Sequence, residues 1–172
     1  ALVTYLSKGK VPKLWKLTNV LPLFKKADKS VPTNCRPISL LSRVGTILER
    51  LVFKRVFNFF KDHFIITIWQ SGFLPGTSTV TQLLEIYHQF CQAVSANKEI
   101  RVVFLDISKA FDRVWHRGLI LKLYNIGIRG AMLEWIKDYL KNRQQRVVVN
   151  GSHSKWGNIK AGVPQGSVLG PL

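Results

Sequence analysis

Ile100-Arg101-Val102-Val103-Phe104-Leu105-Asp106-Ile107-Ser108-Lys109-Ala110-Phe111-Asp112 sets a single carboxylate at the end of an apolar run, in a chain very short of acids. Val102, Phe104 and Asp106 fall on one face of an extended backbone and Val103 and Leu105 on the other, so the run predicts a strand buried on both sides. Ala110-Phe111-Asp112 then predicts the opening of a helix. A lone buried carboxylate is costly, whereas one at a strand end facing a cleft can hold a divalent cation. Two readings of Asp106 stand side by side: a metal ligand, or an acid that merely ends the strand and helps cap the helix.

The 172 residues suffice for one core or two small subdomains. With 47% hydrophobic and 11% aromatic residues the composition is globular, not disordered. Lys and Arg number 26 against 9 Asp and Glu, a formal charge of +17. That excess repels itself unless a polyanion is the partner, and nucleic acid comes before a membrane surface as the candidate. No apolar segment is long enough to span a bilayer and no signal-peptide order of regions opens the chain, which points to an intracellular location, nuclear or cytoplasmic, with no membrane partner. Cys35 and Cys91 make no disulfide framework and are expected to be small buried side chains. The four histidines have no zinc-like spacing. An Ala at position 1 and an unfinished pattern at Leu172 suggest a fragment.

The cations crowd towards the start: Lys8, Lys10, Lys13, Lys16, Lys25, Lys26, Lys29 and Arg36 stand against Asp28 alone. Trp15, Val20, Leu21, Leu23 and Phe24 interrupt them, which predicts an ordered, partly extended element with Lys25 and Arg36 on either side of a turn. Such a surface either holds phosphates or is simply a solvated basic face. Ser42 is a fair N-cap for a helix whose Ile47, Leu48, Leu51, Val52, Val56 and Phe59 recur at helical spacing and should be mostly core. Gln70 to Thr79 reads as a loop and Val80 to Ala96 as a helix. Asp112 to Asn125 and Ala131 to Asn142 read as two helices parted by Gly127 and Gly130. Gln145 to Asn150 and Trp156 to Ala161 read as a hairpin turning at Asn150-Gly151-Ser152. In the closing Gly162-Val163-Pro164-Gln165-Gly166-Ser167 the glycines let backbone approach a flat ligand, and Gln165 offers both donor and acceptor. The same residues also make a good turn before a helix.

Four blocks in order, Trp15-Lys16 to Lys26, Asn34 to Ser42, Gln70 to Thr79, and Phe104 to Asp112 with Gly162 to Leu172, resemble the reverse transcriptase domain of non-LTR (LINE-type) retrotransposons. The resemblance implies an α+β right-hand polymerase fold, with fingers at 1–99 and part of a palm at 100–172. It implies an RNA-directed DNA polymerase that adds deoxynucleoside triphosphates to a DNA primer on an RNA template, with two Mg2+ ions in the complete domain. Asp106 matches the first metal-binding Asp, with the Ile107 carbonyl completing part of the metal shell. Phe111 matches the residue beneath the sugar that excludes a 2′-hydroxyl, Lys25 and Arg36 the cations on the triphosphate, and Gln165 and Gly166 the lining of the nascent base pair. Gly72, Phe73, Pro75 and Gly76 match the template and primer contacts of the fingers. Asp112 keeps a capping or pairing role.

The chain departs from the family in three places. Its second acidic site, an aromatic residue, a variable residue and two Asp, is expected beyond Leu172, and no Asp-Asp pair occurs in the chain. Cys35 replaces a common aromatic residue, and Leu74 and Thr77 replace frequent basic ones. The fragment alone is therefore expected not to polymerise and to be poorly soluble. The alternative is a non-catalytic, basic nucleic-acid-binding remnant of such an element.

Overall fold

Leu17–Phe24 (β1) is the basic segment's extended element, and Cys35–Leu40 (β2) pairs with it antiparallel through Phe24 and Cys35 to Asn19 and Leu40. Pro22 is tolerated because Gln144–Val149 (β3), running parallel to β1, pairs only with Leu17 to Val20; beyond that point β1 has a free edge. Ser152–His153 (β4) and Gly157–Asn158 (β5) both pair antiparallel with β3 and complete a mixed sheet. Asn150 at φ 48° and Gly151 at φ 79° turn the β3–β4 hairpin, the two positive φ values that a tight two-residue connection requires. The expected second strand, Trp156 to Ala161, shrinks to β5. Its neighbour Trp156 instead places its ring under the Arg146 guanidinium, 4.7 Å from the centroid. The computed structural model describes residues 2–26, 28 and 30–172; Lys29, read as part of the basic surface, lies outside them.

Among the described residues five α-helices occur: Leu2–Ser7 (α1), Arg43–Asp62 (α2), Thr79–Ser95 (α3), His116–Asn125 (α4) and Gly130–Leu140 (α5). Ser42 caps α2 as expected, its hydroxyl accepting from Gly45 N–H at 3.3 Å. Ser78 caps α3 in a reciprocal box with Thr81. Gly127, at φ 105°, closes α4: its N–H reaches the Tyr124 carbonyl while Ile128 N–H reaches Leu123, so two end carbonyls are satisfied. The helix expected from Asp112 starts only at His116, because Ala110–Arg113 forms a 3-10 turn first.

The chain divides into two compact units, residues 1–57 with 109–172 and residues 58–108. The first holds the sheet and nearly all of the core: Val20, Leu48, Val52, Val56, Leu133, Trp135 and Leu140 are buried. The α2 stripe is narrower than expected, since Ile47 and Leu51 are half exposed and only Leu48, Val52 and Val56 form the packed seam. Arg143 is buried in the same unit. It donates to Thr18 Oγ1 at 3.1 Å, to the Trp15 carbonyl at 3.4 Å and to the Tyr139 carbonyl at 3.3 Å. Burial pushes its pKa down, and the Tyr139 oxygen and the Glu49 carboxylate oppose that shift.

In the second unit only Phe60 is buried among the described residues. The strand expected at Ile100 to Asp106 is not formed: residues 98–107 carry neither helix nor strand, and Phe104 and Leu105 are 89% and 91% exposed. The physical reason is that extended backbone is stabilised by its ladder partners, and among the described residues of this unit there is no strand to pair with. The cysteines also differ from expectation. Cys91 is exposed and Cys35 half-buried, because α3 presents Leu83, Leu84, Tyr87 and Val94 to solvent and β2 lies at the sheet edge.

Candidate functional site

Closing the β1–β2 hairpin, Lys25 N–H donates to the Asn34 carbonyl at 2.9 Å, one pair beyond Phe24 and Cys35. Arg36 pairs with Leu23, so Lys25 and Arg36 are diagonal neighbours on one face of the hairpin, and both are exposed. Two adjacent cations on an edge hairpin give a surface for a polyanion such as a triphosphate.

The loop from Gly162 to Gly170 is held from several sides. Gly162 N–H donates to the Val114 carbonyl at 2.8 Å and Val163 N–H to the Phe111 carbonyl at 2.7 Å. His116 meets the Gly162 carbonyl at 2.6 Å through Nε2; the carbonyl can only accept, so Nε2 carries the proton. Across the loop, Ser39 N–H donates to the Gln165 carbonyl at 2.8 Å. Gly162 sits at φ 86°, and a Cβ there would stand 2.8 Å from the carbonyl oxygens of both Phe111 and Asp112. At Gly162 the close approach is thus of backbone to backbone, where the sequence predicts one to a flat ligand.

A pocket of about 330 Å³ opens beside this loop, lined by Pro37, Ser39, Asp112, Gln145, Lys160 and Gln165 among others. The Gln165 Oε1 atom is buried and accepts no hydrogen bond among the described residues. Among the described residues Asp112 neither caps nor pairs, contrary to expectation: the chain turns through a 3-10 segment, leaving the residue exposed at the pocket wall.

The last turns of the loop rest on an acid that sequence reasoning missed. Glu49, on α2, is buried; its Oε1 accepts from the Tyr139 hydroxyl at 3.0 Å and its Oε2 from Val168 N–H at 2.9 Å. Burial first, then the Glu49 charge, pushes the Tyr139 phenol well above its ordinary range, so it stays a donor. The sequence did carry a signal. Glu49 lies between Leu48 and Val52 on the buried seam, where an acid needs donors of its own.

The site residues expected from the sequence are thus divided. Lys25, Arg36, Phe111, Gln165 and Gly166 belong to the first unit, where Phe111 is tied to the Gln165 loop and the two cations share the hairpin. Asp106, Ile107, Gly72, Phe73, Pro75 and Gly76 belong to the second. There the Gln70–Thr77 loop is irregular, as expected. Thr77 Oγ1 donates to the Ser71 carbonyl at 2.6 Å, and Phe73 at φ 62° and Gly76 at φ 81° make its bends.

The family model for reverse transcriptase (RNA-dependent DNA polymerase) matches residues 24–172. The chain belongs to the reverse transcriptase family. It is 40% identical over 163 residues to a probable RNA-directed DNA polymerase from transposon BS of Drosophila melanogaster, covering 94% of this chain and 18% of that protein. To the RNA-directed DNA polymerase from mobile element jockey of Drosophila melanogaster it is 39% identical over 168 residues, covering 96% of the chain and 18% of the relative. A Pol polyprotein from the type-1 retrotransposable element R2 of Popillia japonica is 30% identical over 175 residues, covering 98% of the chain and 23% of that protein. The reverse transcriptase chain therefore spans about a fifth of the length of these curated relatives. The resemblance to retrotransposon reverse transcriptases carried by its motifs is confirmed.

Reverse transcriptases generally use divalent metal ions, and the donors here are of the right kind. A carboxylate at Asp106 and a carbonyl at Ile107 are hard oxygen ligands, suited to Mg2+. An ion of that kind takes about six oxygen ligands. Among the described residues no group of three or more metal-capable side chains is gathered. Nor is any helix among them long and apolar enough to cross a membrane.

Proposed function

We propose that this chain is the nucleotide-binding part of a retrotransposon RNA-directed DNA polymerase, comprising fingers (1–99) and part of the palm (100–172). The observation that carries the reading is the clasped loop. Gln165 and Gly166 are fixed between Ser39 of β2 and the Phe111 backbone, beside a pocket with an unsatisfied Gln165 acceptor. A flat, hydrogen-bonding ligand such as a base pair suits those groups. Phe111, tied to that loop through Val163, takes the sugar side, and Lys25 with Arg36 takes the triphosphate, Arg in a bidentate grip and Lys as a point charge.

Asp106 and the Ile107 carbonyl are assigned to divalent metal, and Gly72, Phe73, Pro75 and Gly76 to the RNA template and DNA primer. Bound Mg2+ supplies activation of the primer 3′-hydroxyl and offsets charge on the departing pyrophosphate. What the chain's own side chains contribute is orientation and cationic offset. With one such carboxylate and no Asp-Asp pair in 172 residues, the chain by itself binds nucleotide and nucleic acid but does not extend a primer.

The test is photo-crosslinking of an azido-deoxynucleoside triphosphate to the chain, with the labelled peptides mapped. Labels on the Cys35–Leu40 and Gly162–Gly170 peptides, lost with Arg36→Ala, are expected. Labelling spread evenly over the basic surface would overturn the nucleotide site. Magnesium-dependent primer extension by the chain would overturn the assignment of inactivity.

A further inference from the structure

A second recess lies in the first unit, built by the residues that precede β1. It measures about 500 Å³ and is lined by Lys10, Val11, Lys13, Leu14, Lys16, Leu17, Asp138, Asn142 and Gln144. Only Gln144 comes from β3, and its chain neighbour Gln145 lines the pocket beside the Gln165 loop. The two hollows have no lining residue in common.

The shape of the recess is fixed by Asp138. One of its oxygens, Oδ2, accepts both Val11 N–H at 2.7 Å and the largely buried Lys16 ammonium at 2.9 Å. Burial pushes the Asp138 carboxyl up, but those two hydrogen bonds and the charges of Lys16 and Lys10 outweigh it and hold the group below its usual range. The acid is thus committed to the backbone and to Lys16. Lys10 and Lys13 are exposed and make no ion pair among the described residues. Beside them Leu14 is 78% exposed, and Leu17 also reaches solvent.

We propose that this recess binds the phosphodiester backbone of a single-stranded nucleic acid, with Lys10 and Lys13 on phosphates and Leu14 against a sugar or base. Two exposed lysines next to exposed apolar side chains match a strand that alternates charge with flat apolar surface. The recess is concave, whereas a bilayer surface needs cations and apolar groups on a projecting face. A duplex presents a broad surface to its protein, and a single strand can enter a hollow of this size. The site is separate from the nucleotide pocket, and its fate does not depend on the reading given to Gln165.

The experiment measures binding of a short fluorescent single-stranded RNA, and the same sequence as DNA, to the 172-residue chain over a salt series. Lys10→Glu/Lys13→Glu is compared with Arg117→Glu/Lys122→Glu, an equal charge change on exposed positions of α4. The recess variant is expected to lose about tenfold more affinity than the control for both polymers. Its log-log salt slope should fall by about 1.4, the release from two phosphates of a single strand. An equal loss in both variants would overturn the site in favour of diffuse charge. A loss confined to one polymer would overturn phosphate as the recognised group. Weakened binding to anionic phosphatidylserine vesicles, with RNA binding intact, would make the recess a membrane contact instead. Should the Glu pair lower the melting midpoint, Lys10→Gln/Lys13→Gln puts the same question at half the charge change.

Discussion

The Glu49 carboxylate joins the Tyr139 hydroxyl to the Val168 amide, and so couples the buried seam of α2 to the loop that carries Gln165. Glu49→Ala removes an acceptor at once from the buried Tyr139 hydroxyl and the half-buried Val168 N–H. Leaving them unpaired costs about 2 to 6 kcal/mol, at roughly 1–3 for each group. Urea unfolding checks the total, and hydrogen exchange the place: the Val168 amide should exchange much faster in Glu49→Ala. Glu49→Gln keeps one acceptor and should lose less than half as much.

Gly162→Ala forces a Cβ to within 2.8 Å of two carbonyl oxygens at a φ of 86°. The strained backbone alone costs about 1–3 kcal/mol, and the contacts add to it. A lower melting midpoint together with lost nucleotide crosslinking at Gly162–Gly170 is the expected pair of outcomes. Gly151→Ala, where the turn has open space around the Cβ, should lower the midpoint and leave the crosslink in place.

Trp135 is 1% exposed and stacks on Tyr139 with ring centroids 5.4 Å apart. Trp135→Ala should cost about 3–5 kcal/mol by opening a cavity at the centre of the first unit. Trp156→Ala, which removes a ring from beneath Arg146 at the surface, should cost no more than about 1 kcal/mol. Parallel thermal melts of the two variants check the contrast.

Asp138 makes stability depend on pH in a known direction. Its folded pKa lies below the unfolded value, so its contribution is fully present above the unfolded pKa and is lost as pH falls through the folded one. Asp138→Asn should lower stability at neutral pH by about 2 kcal/mol, the worth of hydrogen bonds to a charged acceptor. Below the folded pKa wild type and variant should converge. Urea titrations from neutral to strongly acidic pH measure that window.

Local signals predicted the elements that local forces build. Ser42 and the spacing of Leu48, Val52 and Val56 announced α2, and Asn150-Gly151 announced its turn, because caps, periodicity and positive φ act within a few residues. Partners distant in sequence decide the rest. The run ending at Asp106 has the pattern of a buried strand, and its own unit holds no strand among the described residues for it to join. Gln165 and Phe111 were read in the sequence as separate motifs, and only folding ties them through Val163 and Ser39. Glu49 and the Asp138 anchor escaped notice because one acid on an otherwise ordinary helix says nothing about which donors will reach it.

Gln144 and Gln145 are adjacent in the chain yet belong to different hollows, so the reading frame of β3 against β1 acts as a selector. A three-nucleotide deletion just before Gln144 would preserve the open frame of the gene while exchanging which face each later side chain of the strand meets. Both hollows would then be lost together through a lesion that touches neither lysine nor glutamine. In mutational surveys of this segment, in-frame single-codon indels should therefore be tolerated far less well than substitutions at either glutamine.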